Sequence, residues 1–140
     1  MNTMGRQLKR ITKVSGQEEP PDVKEKTLKI FLKPLRQNVE HPCILTGGED
    51  FEWEEFYIIG PGSKKEHEQL RKTNASYLHT FDLIDFVLDP YGDEGIHAEV
   101  RRLSGKKIFF LDLDYLKVKP KKSKNFSLID DYGVWFVNYR

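Results

Sequence analysis

The chain has 140 residues and a mass of 16.5 kDa, with 38% hydrophobic, 32% charged and 12% aromatic residues and a mean hydropathy of −0.62. That is room for one domain with a modest core, and too aromatic a composition for a wholly disordered chain. One cysteine excludes a disulfide framework and a cysteine-cluster zinc site, and no apolar run approaches the roughly 20 residues of a bilayer span. With no secretory apolar segment near the N-terminus either, the expectation is a cytoplasmic protein without membrane contact.

The net charge of +1 hides a segregation. Residues 1–40 carry +4, residues 41–100 carry −9 and residues 101–140 carry +6. An acidic middle between basic ends either packs against those ends or presents an acidic surface to a cation or a basic partner.

In chain order, residues 1–25 read as a flexible basic and polar tail, because Ser15–Asp22 lacks apolar periodicity and contains the Pro20–Pro21 pair. Residues 26–140 read as a single domain. Leu28, Ile30 and Leu32 alternate with basic residues, which suits a half-buried strand stopped by Pro34, with a short helix as the alternative. Cys43–Leu45 is a short apolar run closed by Gly47–Gly48. Phe51 to Ile59 reads as a strand whose rhythm shifts between Phe51/Trp53 and Phe56/Ile58, so a β-bulge is expected at Glu54–Glu55.

Ser63 followed by Glu66 predicts a short capped helix over 64–72. Phe81–Leu88 is dense enough in apolar residues for a strand or a buried helical turn. The alternation of Ile96, Ala98 and Val100, a turn at Ser104–Gly105 and the return over Ile108–Leu113 predict a hairpin. Finally Ser127 and Asp130 begin a helix whose stripe of Leu128, Tyr132, Trp135, Phe136 and Tyr139 belongs to the core. Short antiparallel strands with small helices and no βαβ rhythm imply a mainly-β or α+β domain.

Several motifs fail on context. Gly47-Gly48-Glu49-Asp50-Phe51 resembles the signature loop of diguanylate cyclases, but the upstream metal-binding strand of that family has no counterpart here. His97-Ala98-Glu99 resembles the zinc deaminase motif without the cysteine ligands it needs. His41 and Cys43 share a strand face with no acceptor positioned beside them. No acid–base or nucleophile pair has convincing spacing, so no catalytic residue is assigned and a non-enzymatic role is expected.

The carboxylates carry more information. Asp89, Asp93 and Glu94 lie in one Gly-containing loop, and a second cluster of Glu49, Asp50, Glu52, Glu54 and Glu55 sits in and after the Gly47–Gly48 turn. Loose clusters of this kind suit calcium, which takes six to eight oxygens, although the EF-hand spacing is absent. The order of features, with the hairpin "IHAEVRRLSGKKIFFLDLDYLKV" and the helix "LIDDYGVWFVNYR", resembles the cyanobacterial calcium-binding regulator family. That resemblance implies a small SH3-like, partly open antiparallel barrel with a short middle helix and a C-terminal helix. It also implies a non-enzymatic regulatory module.

The leading expectation is weak calcium binding by Asp89, Asp93, Glu94, Glu49, Asp50, Glu52 and Glu55. The alternative is a metal-free protein-interaction module with Trp53, Tyr57, Tyr91 and Tyr115 in an aromatic groove. Nucleic-acid contact through the basic tail and the Lys119–Lys124 run is disfavoured, since no aromatic residues interleave with that run.

Overall fold

The computed structural model describes residues 3–88 and 95–140. It is an α+β fold around an open, five-stranded antiparallel sheet. The strands are β1 (Ile44–Gly47), β2 (Thr80–Leu88), β3 (Ile96–Arg102), β4 (Ile108–Asp112) and β5 (Leu116–Val118), in the order β4-β3-β2-β1-β5. A meander from β1 to β4, a three-ten turn (Leu113–Tyr115) and a last strand returning to the free side of β1 is the connectivity anticipated for a small, partly open SH3-like barrel.

The β3–β4 hairpin follows from the sequence alternation. Ile96, Ala98 and Val100 face inward, fully buried. Arg102 continues that parity and is also buried, which the alternation alone does not suggest. The sheet does contain a bulge, but in β2: the register with β3 shifts between Leu83 and Asp85. Phe81 and Leu83 point into the core before it and Phe86 after it, the parity change that one extra residue produces.

The segment expected to be a bulged strand is helical. Glu52–Glu54 forms a three-ten turn, continued by α3 (Glu55–Ile58), after α1 (Thr3–Ser15) and α2 (Glu25–Asn38) earlier in the chain. The rhythm shift at 54–55 is therefore a change of period and not a bulge. Phe56 and Ile58, expected inside, are 53% and 45% exposed. The capped helix appears as α4 (Lys64–Leu70), with Ser63 Oγ accepting from Glu66 N at 3.1 Å.

Two N-terminal expectations need correction. Residues 25–38 form α2, the helical alternative and not the half-buried strand, because Leu28, Phe31, Leu32 and Leu35 make an i, i+3, i+4, i+7 stripe that buries together. Pro34 is accommodated within the helix. Residues 3–15 are not a free tail but α1, docked through fully buried Ile11 and through Arg10, whose Nε and Nη2 donate to Asp131 at 2.7 and 3.0 Å. Asp131 sits on α5 (Lys124–Asn138).

That last helix packs against β5, the Leu113–Tyr115 turn, α1 and α2, while α2 itself packs on β2. Trp135 stacks on Phe31 with ring centroids 4.0 Å apart, and its indole N–H donates to Pro21 O at 2.8 Å. The polar 15–22 segment is thereby tied to the centre of the core. Tyr132 Oη accepts from Ile96 N at 2.8 Å and so anchors the start of β3. Gly95 (φ +75°) lies directly against Tyr132 and Phe136, where an added Cβ would come within 2.5 Å of both. No helix among the described residues is long and apolar enough to cross a membrane.

Candidate functional site

The connection from β1 to β2 spans residues 48–79 and folds around one side chain. Glu54 is fully buried, a costly place for a carboxylate unless hydrogen bonds replace its water. Four donors do so. Oε1 accepts from Tyr77 N (2.8 Å) and Phe51 N (3.3 Å), and Oε2 accepts from Ser76 Oγ (2.7 Å) and His67 Nε2 (2.7 Å). Because an ionised carboxylate only accepts, the imidazole proton sits on Nε2 of His67. Glu54 thus ties the three-ten turn, α4 and the approach to β2 into one unit.

That unit presents Trp53. Its indole N–H donates to Ala75 O at 2.7 Å, and its ring packs at an angle on Tyr57 and His67. Gly47 makes the close approach possible, since a Cβ there would lie 2.6 Å from Tyr77 Cα. Trp53 shares the lining of a cleft of about 610 Å³ with Phe109, Phe110, Leu111 and Tyr115, and Phe51, Asn74, Ala75 and the acids Glu52 and Asp112 complete its walls. Phe110 and Tyr115 are 60% and 50% exposed. The cleft therefore runs between a rigid, polar-pinned wall and an edge strand, and it is mostly apolar.

A second cavity of about 640 Å³ adjoins it, sharing Glu52 and Tyr115. Glu49, Asp50, Glu52 and Glu55 meet there with Asp114, against one cation, Lys117. The Lys117 ammonium is already 2.7 Å from Asp130 Oδ1. Asp114 Oδ1 is buried with no hydrogen-bond partner among the described residues. Burial raises the Asp114 pKa, opposed by its own backbone N–H and by Arg140 and His97. Burial, followed by the charges of Asp114, Asp112 and Glu52, also raises the pKa of Tyr115.

Of the residues singled out from the sequence, Glu49, Asp50, Glu52 and Glu55 are brought together, and Trp53 and Tyr115 share the lining of the apolar cleft. Tyr57 stacks behind Trp53 against His67, outside the cleft lining. Asp89, Tyr91, Asp93 and Glu94 lie outside the described residues, and with them half of the expected shared acidic rim. Among the described residues no group of three or more His, Cys, Asp or Glu is arranged to hold a metal ion.

The sequence reading missed Phe51, Phe109, Phe110 and Asp114 as lining, and took Glu54 for one more surface acid. A signal for Phe110 was present, as an aromatic at an outward position of the predicted hairpin. Glu54 carried no local signal. Cys43 is buried and its thiol pKa is pushed up to about 11, chiefly by that burial, which removes it as a nucleophile beside His41. The N-terminal basic residues are engaged elsewhere, Arg10 with Asp131 and Arg36 with Asp85, while the C-terminal basic segment reaches the acidic cavity through Lys117 and through the charge of Arg140 near Asp114. Compared with known protein families, curated proteins and solved structures, the chain matches none.

Proposed function

We propose that this chain is a non-catalytic protein-interaction module whose aromatic cleft takes an extended partner segment bearing apolar side chains and at least one Lys or Arg. The observation that carries this reading is adjacency. An apolar cleft with two half-exposed aromatic rings runs directly into a cavity where five carboxylates face one engaged lysine. An extended chain lays alternate apolar residues on aromatic rings at small entropic cost, and a neighbouring acidic cavity selects a cationic side chain by charge.

The test is titration of the full chain with two extended peptides of equal apolar content, one carrying two Lys or Arg and the other two Glu. Expected are saturable shifts of the Trp53 indole and the Tyr115 ring with the basic peptide only, weakening as salt is raised. Absence of shifts, or equal binding of the acidic peptide, overturns the reading.

A second reading is weak divalent-cation binding by Glu49, Asp50, Glu52, Glu55 and Asp114, carried only by their lining one cavity, since among the described residues they are not arranged as a metal site. Calorimetric titration with calcium tests it. Saturable heat that is lost in Asp114→Asn is expected, and no heat at millimolar calcium removes it.

A further inference from the structure

On the far side of the 71–79 segment from the aromatic cleft lies a depression of about 430 Å³, between the end of α4 and the β3–β4 turn. Glu68, Arg71, Lys72, His79, Arg102 and Ser104 line it. Arg102 is only 8% exposed, and three of its five N–H groups are spent on carbonyls: Nε on Ser104 (2.6 Å), Nη1 on Arg71 (3.0 Å) and Nη2 on Lys72 (2.9 Å). Two N–H groups remain, and no carboxylate among the described residues pairs with this buried charge.

Arg71 adds a second guanidinium, whose Nε is buried with no hydrogen-bond partner among the described residues. His79 contributes a third donor. Its Nδ1 accepts from Ser76 N at 3.0 Å, which places the imidazole proton on Nε2. Gly105 (φ +79°) keeps the approach open, because a Cβ there would stand 3.0 Å from Arg102 Nη2. Glu68 is exposed at the rim and forms no ion pair with either arginine.

A buried guanidinium without a counter-charge is costly, and an orphaned buried N–H beside it calls for an acceptor. Two such forks facing one depression suit a small anion with several oxygens, each able to accept from more than one N–H. We propose that this depression is a binding site for a tetrahedral oxyanion, a phosphate group, held by Arg71, Arg102 and His79 with Lys72 adding charge. Its lining residues are not those of the aromatic cleft, although Arg102 lies over the ring of Phe109, 5.8 Å from its centroid. Burial, then the positive charges of Arg102 and Arg71, hold the His79 pKa below its usual value, with Glu54 opposing. Occupancy by an anion reverses the arginine contribution.

The site is tested by nuclear magnetic resonance titration of the full chain with inorganic phosphate in one arm and O-phosphoserine in the other, at constant ionic strength in chloride. Saturable shifts of the His79 ring and the Gly105 amide are expected in the millimolar range, with a rise in the His79 pKa. Arg71→Gln, whose side chain supports no other described contact, weakens binding about tenfold while the melting temperature is kept, and Glu68→Gln tightens it about twofold to threefold. Tighter binding of phosphoserine than of phosphate assigns the site to a phosphomonoester, and the reverse assigns it to the free ion. No saturable shift at tens of millimolar, or an unchanged response in Arg71→Gln, overturns the proposal.

Discussion

Glu54 and Asp114 are carboxylates of adjoining regions, and their surroundings are opposite. Glu54 is fully buried and receives four hydrogen bonds, so its charge is an organising centre that locks the 48–79 connection and aims Trp53 into the cleft. Asp114 is partly buried, one oxygen has no hydrogen-bond partner among the described residues, and four more acids share its cavity. Burial by itself does not say whether a charge is structural. The donor set does: a completed shell spends the charge on architecture, and an incomplete shell leaves it for something that arrives.

The largest effect that would break this contrast is at Glu54. Glu54→Ala leaves four buried donors unpaired and is expected to cost about 3–5 kcal/mol, read by urea denaturation, with Trp53 fluorescence moving to the red. A cost no larger than a surface substitution would mean that the shell is not organising the connection. Ser76→Ala removes one donor to Glu54 and the acceptor of Leu78 N, and about 1–2 kcal/mol is expected by the same measurement.

Asp114→Asn should act in the opposite direction. A carboxyl whose folded pKa is raised contributes stability that is present below the unfolded value near 3.9 and is lost as pH rises through the folded value. The variant cannot ionise, so it gains relative to the parent at neutral pH: a melting temperature about 1–3 °C higher at pH 7, with no gain below about pH 4. It should also weaken the basic peptide severalfold. The smallest effects belong to Glu49→Gln and Glu55→Gln, each within about 0.5 kcal/mol in stability, with a shallower salt dependence of peptide binding. If either destabilised the protein as Glu54→Ala does, the division between the two regions would fail.

Much of the sheet was legible from local pattern. Ile96, Ala98 and Val100 alternate because one face of β3 is buried, and the Tyr132/Trp135/Phe136 stripe has helical spacing because one side of α5 meets the core. The Ser63–Glu66 cap was visible in four residues. Phe51–Ile59 was misread for a definite reason: over nine residues a shift in alternation and a change to helical turns leave similar traces, and the side chain that decides between them is Glu54, three of whose four partners are 13 to 23 residues away. Helix α1 was read as part of a tail because the Ser15–Asp22 stretch after it has no apolar periodicity and contains the Pro20–Pro21 pair. It docks through one isoleucine and an Arg10–Asp131 pair separated by 121 residues in the chain.

Half of the candidate site was legible in the same sense. Glu49, Asp50, Glu52 and Glu55 were grouped by adjacency, and Trp53 and Tyr115 were marked as aromatics in search of a groove. Asp114, Phe109 and Phe110 joined them only because β4 and the three-ten turn after it lie alongside the 48–55 turn once β5 has paired with β1.

By itself, then, the order of amino acids narrowed the class to mainly-β or α+β, placed the β3–β4 hairpin and the α4 cap, and showed the excess of negative charge in the middle of the chain, since these depend on patterns within a few residues. Only the tertiary structure decided which acid is an internal anchor and which faces a cavity, and which arginines are left without a carboxylate. The free energy of a charge depends on the dipoles and ions within a few ångströms of it, and those neighbours come from distant parts of the sequence.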